Sequence, residues 1–560
     1  MAAAGTIDPS QSVRGTSDPV AGLYSGAMAR TLAALVLTAI ACDRAVATGG
    51  PARDAPRATL VDGPAPDAAL AVADAAPPDD GGGGRLFRDA PAPADGGAPL
   101  PYTLPTAFDG FSRCERAGFG EVSLPGVWAL DLSLPGRQGP GVFSFEKNGD
   151  LLQGRDGPLV FNHIEQSDGR LFFYYAIDRM GVPSVRSFLA CQPPAPGGQR
   201  FSGLYGSCGN GSCVQGTFEA TRVERRAGEL EADGLSKLGE IGFPNTVGIT
   251  TNVRVLGRHA FLSRYQDGLR IVDVSDPARP VAVGHGETET PANGEIYNDV
   301  KLLPGWAFLA STAHGVVVWD VSNSAAPIRV ANLEDGTNVH TLFLVGTTLY
   351  AASTGGGFSG LVMWDVSNPR MPARLGQLDQ PVGTDYLHDL YVEPGRAYLD
   401  YWEAGLLVVD VTDPARAREL GRFDAYARRK SHSSWVTTIG GRKIAVHGDE
   451  DFGAHTRILD VTDPASITLL SEYQTRPEVS VHNVYAEGSR AFLSHYQDGL
   501  RVLDLADPRA PRPIAYFNSW SPAAAEATSF YEGAIGLDKV GDLVYLADTT
   551  RDLLILRLER

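Results

Sequence analysis

One apolar run dominates the pattern of the chain: it opens on glycine in most copies, closes on aspartate and returns six times. It reads Gly268-Leu-Arg-Ile-Val-Asp-Val-Ser-Asp-Pro277, Gly315-Val-Val-Val-Trp-Asp-Val-Ser-Asn323 and Gly360-Leu-Val-Met-Trp-Asp-Val-Ser-Asn-Pro369. It continues as Gly405-Leu-Leu-Val-Val-Asp-Val-Thr-Asp-Pro414, Thr456-Arg-Ile-Leu-Asp-Val-Thr-Asp-Pro464 and Gly499-Leu-Arg-Val-Leu-Asp-Leu-Ala-Asp-Pro508. A strand-length run that is apolar throughout predicts a β-strand covered on both faces. The Asx-Pro that follows predicts its end, since proline has no N–H to donate and Asp or Asn bonds its own backbone in a turn. Shorter strands precede each run, such as Ala260-Phe-Leu-Ser263 and Leu387-His-Asp-Leu-Tyr-Val392, and another follows, such as Ala373-Arg-Leu-Gly-Gln-Leu378. Each repeat therefore holds four antiparallel strands.

The closing aspartates, at 273, 320, 365, 410, 460 and 504, lie 47, 45, 45, 50 and 44 residues apart. Self-similarity at this period with strand content predicts a β-propeller, one blade per repeat. After the sixth copy, Phe530–Ile535, Leu543–Ala547 and Leu553–Leu558 supply three more strands. The fourth has a donor ahead of the first repeat, because Ser236-Lys-Leu-Gly-Glu-Ile-Gly242 matches Ala417-Arg-Glu-Leu-Gly-Arg-Phe423. Borrowing it closes the ring without an open edge. The expectation is an all-β, seven-bladed propeller over 236–560, with six blades as the alternative.

These motifs resemble the LVIVD repeat of bacterial and archaeal cell-surface proteins. The resemblance implies a propeller and an extracytoplasmic setting, and it brings no assigned biochemical role. Trp319-Asp320 and Trp364-Asp365 invite comparison with WD40 repeats, but the Gly-His element of those repeats is missing.

The first two fifths of the chain read differently. Short strands punctuated by turns over 108–228, such as Arg170-Leu-Phe-Phe-Tyr-Tyr175, predict a small all-β domain. It carries Cys114, Cys191, Cys208 and Cys213, which in an exported chain read as two disulfides of undetermined connectivity. Residues 43–107, rich in Ala, Pro, Asp and Gly, cannot bury enough apolar surface to fold and read as a disordered tether. Residues 28–42 have the make-up of a signal peptide: one positive residue, an apolar run of about eleven, then Ala39-Ile-Ala-Cys42. That end resembles the lipobox of bacterial lipoproteins, which implies lipidation at Cys42; alanine stands at 39 where the box usually has leucine, and ordinary signal peptidase is the alternative. Residues 1–27 read as an upstream extension from a misplaced start codon. The predicted location is the outer membrane or cell surface, the periplasmic face being the alternative, with the membrane reached through the N-terminal lipid.

Net charge refines the picture. At −18, with no Lys/Arg run, the chain lacks the basic face a nucleic-acid partner requires. Two groups of residues could carry chemistry. His340, His388, His432 and His482 recur, with Asn252, Asn298 and Glu532, at one polar position of the innermost strands. Brought together around the axis, the four histidines and Glu532 could hold a transition metal, or they could simply bond neighbouring backbone. His447-Gly-Asp449-Glu450-Asp451-Phe-Gly-Ala-His455 is an acidic insertion in the fifth repeat that could hold calcium or zinc, or be a solvated loop. No nucleophile elbow, P-loop, His-Glu-x-x-His or dinucleotide fingerprint is present, so no catalytic residue is named and no cofactor beyond a possible divalent metal is implied. The function expected is a surface binding or scaffold module with a protein or glycan on the propeller rim. The alternative is a metal-binding protein or metal-dependent enzyme using the axial ring.

Overall fold

A computed structural model describes residues 122–559 apart from short segments, the longest of them 193–197, 288–294 and 522–528. The signal peptide, the tether, Cys42 and Cys114 lie outside the described residues.

Nine antiparallel strands form the first unit: β1 (Gly126–Leu134), β2 (Arg137–Asn148), β3 (Leu151–Asp156), β4 (Leu159–Val160), β5 (His163–Ser167), β6 (Arg170–Arg179), β7 (Val182–Gln192), β8 (Arg200–Gly209) and β9 (Ser212–Val223). Their order across the sheet is β4-β3-β2-β1-β9-β8-β7-β6-β5. The two edge strands are separated by residues 161 and 162 alone. Phe161 N donates to Gly154 O on β3 and Asn162 N to Tyr174 O on β6, both at 2.9 Å, so the sheet curls into a barrel. Aromatic residues fill it, with Phe143 meeting Phe173 and Phe188 edge-on at 5.1 and 4.8 Å. The register of β8 and β9 sets Cys208 opposite Cys213, and Cys191 falls at a bulge of β7.

The second unit is a seven-bladed β-propeller of antiparallel four-stranded sheets. Blade 1 runs Thr250–Leu256, His259–Arg264, Gly268–Asp273, Val281–Gly286, from axis to rim, and blades 2 to 6 repeat this order. Two strands lead into it, β10 (Ala232–Asp233) and β11 (Leu235–Ile241). β10 adds a fifth strand to blade 6, and β11 pairs with Asp552–Leu558 as the rim strand of blade 7. Seven blades and the borrowed strand are as the repeat pattern predicts.

The motif's residues have visible duties. Each closing aspartate turns the chain by accepting the backbone N–H two residues on: Asp273 from Ser275, Asp320 from Ser322, Asp365 from Ser367, Asp410 from Thr412, Asp460 from Thr462 and Asp504 from Ala506. The rim strands of blades 1, 3 and 4 each carry a glycine pressed against the next blade. A Cβ would lie 1.8 Å from Ser324 O at Gly284, 2.0 Å from Pro414 O at Gly376 and 1.8 Å from Pro464 O at Gly421.

Candidate functional site: the mouth of the axial channel

The innermost strands carry a β-bulge at a common place. The pairing slips between Thr250 and Asn252, Tyr297 and Asp299, Val339 and Leu342, Leu387 and Asp389, Ser431 and Ser433, and Ala534 and Gly536. A bulge leaves a residue out of the ladder and re-aims its side chain. The residues so placed are Thr251, Asn298, His340, His388, His432 and Ile535, and His482 stands just ahead of the corresponding strand of blade 6. All of them line one cavity of about 80 Å³ at the end of the axis.

Four histidines follow one another around that cavity. Ring centroids are 4.1 Å apart from His340 to His388, from His388 to His432 and from His432 to His482. Asn298 Nδ2 donates to His340 Nδ1 at 3.0 Å, and His482 Nδ1 donates to Ile535 O at 2.6 Å. The second bond fixes a tautomer, leaving Nε2 of His482 bare. Between them, Nδ1 of His388 and both ring nitrogens of His432 are buried without a hydrogen bond of good geometry. Trp402 stacks on His388 at 4.8 Å.

A carboxylate completes the cluster, and it is not Glu532. The repeat-equivalent residue of blade 7 is Ile535; Glu532 lies in the preceding loop, where it accepts from Trp520 Nε1 at 3.4 Å. The carboxylate is Glu450, from the acidic insertion, which folds back over the mouth. Glu450 Oε2 is 3.5 Å from His432 Nε2, its Oε1 is 3.7 Å from His482 Nε2, and it accepts from the Tyr496 hydroxyl. One atom each of His388, His432 and Glu450 lie within 4.8 Å of one another.

The other residues of the insertion go separate ways. His447 is buried against Asp400, Ser434 and Tyr426, at 3.1, 3.0 and 3.1 Å. Asp449 is held by Arg457, Asp451 by Arg428 at 3.3 Å, and His455 faces Glu472 at 3.4 Å. Among the described residues, these side chains of the insertion face separate partners and not one common point.

Burial governs the electrostatics. Desolvation, with the neighbouring imidazoles adding to it, holds His388 and His432 well below the usual histidine range, and desolvation brings His482 down to about 3. Desolvation pushes Glu450 up to about 8, against the hydrogen bond from Tyr496. Neutral imidazoles beside a carboxyl that lacks a counter-charge are the donor set a dipositive ion would use.

Fold and repeats define the class: a seven-bladed β-propeller built from a repeated four-stranded blade. The LVIVD repeat family matches residues 247–288, 297–335 and 388–425. Among solved structures, the chain is similar to the WD40 β-propeller domain of Doa1, at 9% identity over 58% of this chain and 97% of that one, with a TM-score of 0.42. It is also similar to BamB from Moraxella catarrhalis, at 12% identity, 56% and 84% coverage and TM-score 0.38. A third is the computationally designed Ika8 protein, at 8% identity, 55% and 83% coverage and TM-score 0.39. No curated protein matches the chain.

Proposed function

We propose that this protein is an exported, lipid-anchored binding protein whose propeller holds a divalent transition metal at the mouth of its axial channel. One observation carries the reading: ring nitrogens of His388 and His432 that lack a hydrogen bond of good geometry, the unprotonated Nε2 of His482 and the Glu450 carboxylate converge in one buried cavity. Buried polar atoms without partners are costly, and an ion that takes one nitrogen from each ring together with the carboxylate removes much of that cost. A nitrogen-rich set with one carboxylate suits zinc, iron or copper better than calcium. In this reading the lipid on Cys42 and the acidic tether hold the folded units clear of the membrane, and Cys208 closes on Cys213, which faces it across the strand pair. A rim site for a protein or glycan is the second reading, favoured by Val281, Ile328 and Met371, all exposed on or beside the outer strands.

The test is zinc titration of the purified metal-free chain. We expect one equivalent to bind wild type, and the double substitution His432→Ala with Glu450→Gln to abolish it while the circular dichroism spectrum stays that of a β-propeller. Wild type that takes up no zinc, iron or copper would overturn the metal site and leave the rim as the binding surface.

A further inference from the structure

The barrel stands against the face of the propeller on which the histidines open. Val127 and Ala129 of β1, Val142 of β2 and Val223 of β9 belong to one apolar cluster with Phe452, Trp520, Phe530 and Tyr531 of the mouth loops. At the edge of this contact lies a chain of charges. Asp131 of β1 takes both arms of Arg428, at 2.9 and 3.1 Å, and Arg428 reaches on to Asp451 at 3.3 Å. Asp451 is almost fully buried and is the chain neighbour of Glu450.

Three further features tie this bridge to Glu450. The Glu450 N–H donates to Lys430 O at 2.9 Å, so the segment bearing Arg428 is laced to the segment bearing the carboxylate. Phe452, on the other side of Asp451, is part of the apolar contact with the barrel. Arg428 itself has φ +51°, a left-handed conformation that a long side chain adopts only when its surroundings hold it there. A bidentate carboxylate pair is the kind of contact that can do so.

We propose that the barrel is a positioning element of the axial site: Asp131 fixes Arg428, Arg428 fixes Asp451, and the register of the 449–455 loop so set aims Glu450 at the histidines. The inference rests on the metal reading of that site. It gives the N-terminal unit a task, and it makes metal affinity depend on how the barrel is docked. Anything that moves the barrel, including tension along the tether or a partner bound to it, then changes metal affinity without touching a ligand.

The experiment compares zinc affinity of the full chain as wild type, Asp131→Ala and Asp131→Glu, by competition with a chromophoric chelator, alongside thermal unfolding. Groups bonded directly to metal ligands are worth roughly 10- to 100-fold in affinity, and Asp131, which acts through Arg428 and Asp451, belongs at the low end of that range. We expect Asp131→Ala to keep one equivalent of zinc but bind it about tenfold more weakly, with Asp131→Glu restoring most of the loss. Arg418→Ala, which breaks an exposed pair with Asp410 on the propeller alone, should leave affinity unchanged. Wild type that binds zinc with an affinity Asp131→Ala does not alter would overturn the positioning role and leave the metal site standing. Wild type that binds no zinc would overturn both.

Discussion

At the scale of single residues, burial decides what each histidine is for. His495 is buried with Asp498, Arg476 and Arg501 as its charged neighbours, and desolvation lowers it to about 4, Asp498 opposing the shift and the two arginines adding to it. An unfolded chain takes up a proton at this residue near pH 6.5, whereas the folded chain refuses it until about 4. Stability is therefore complete above about pH 6.5 and declines as pH falls toward 4. At pH 5 the deficit from this residue is about 2 kcal/mol. Replacing His495 by Gln should flatten the fall in urea midpoint between pH 7 and 5; an unchanged slope would assign the acid sensitivity to other groups. The axial histidines were legible in the sequence because the repeat places them at one position of the innermost strands. Glu450 was not. It belongs to an insertion whose path over the mouth is set by contacts with Lys430, Tyr496 and Arg428's partner Asp451, none of which leaves a spacing signal. Glu532 was the opposite case, near the repeat position in sequence but set aside by the bulge at Ile535.

At the scale of elements, the repeat names its strands well and its interfaces poorly. The apolar runs, the Asx turns and the borrowed β11 were all readable, since each follows from local hydrophobic pattern and turn chemistry. That the sheet of β1–β9 curls on itself was not readable, because closure depends on residues 161 and 162 joining its two edges. The rim-strand glycines show how blades are spaced. At Gly421 a Cβ would sit 1.8 Å from the Pro464 carbonyl oxygen, which is backbone and cannot swing aside. Blade 4 would have to move away from blade 5, and overpacking of this kind costs roughly 1–3 kcal/mol. Gly421→Ala should therefore lower stability by about 2 kcal/mol in denaturant titration, on the scale of such overpacking. Gly139→Ala on β2, where a Cβ meets nothing within 4 Å, should be close to neutral. Equal effects of the two would mean that the blades are not held at this spacing by the glycine.

At the scale of the whole molecule, a propeller is only as stable as the seam where its ring closes. Here the seam joins blade 7 to blade 1, and a buried charge cluster sits beside the borrowed strand. Arg264 is fully buried; it pairs with Asp267 at 2.7 Å and with Asp552, and bonds Thr250 Oγ1 at 2.8 Å. Asp552 also accepts from the Phe243 N–H at 2.7 Å, just past the end of β11, and from Thr250 Oγ1 at 3.0 Å. One carboxylate thus ties the last blade, the borrowed strand's exit and the first strand of blade 1. It does so with φ +66°, a conformation that Asp and Asn tolerate better than most residues. Asp552→Ala removes one of two counter-charges of a guanidinium that has no access to water, and breaking such a pair costs about 3 kcal/mol or more. Asp552→Asn keeps the backbone conformation and the acceptor for Phe243 but loses the charge, so its loss should be smaller. Equilibrium unfolding in urea should rank wild type above Asp552→Asn above Asp552→Ala. The same loss should appear whether unfolding is followed in blade 1 or in blade 4, since opening the seam releases the whole ring. If Asp552→Ala unfolds with the wild-type midpoint, the ring is held by β11 pairing alone and the buried cluster is incidental to closure.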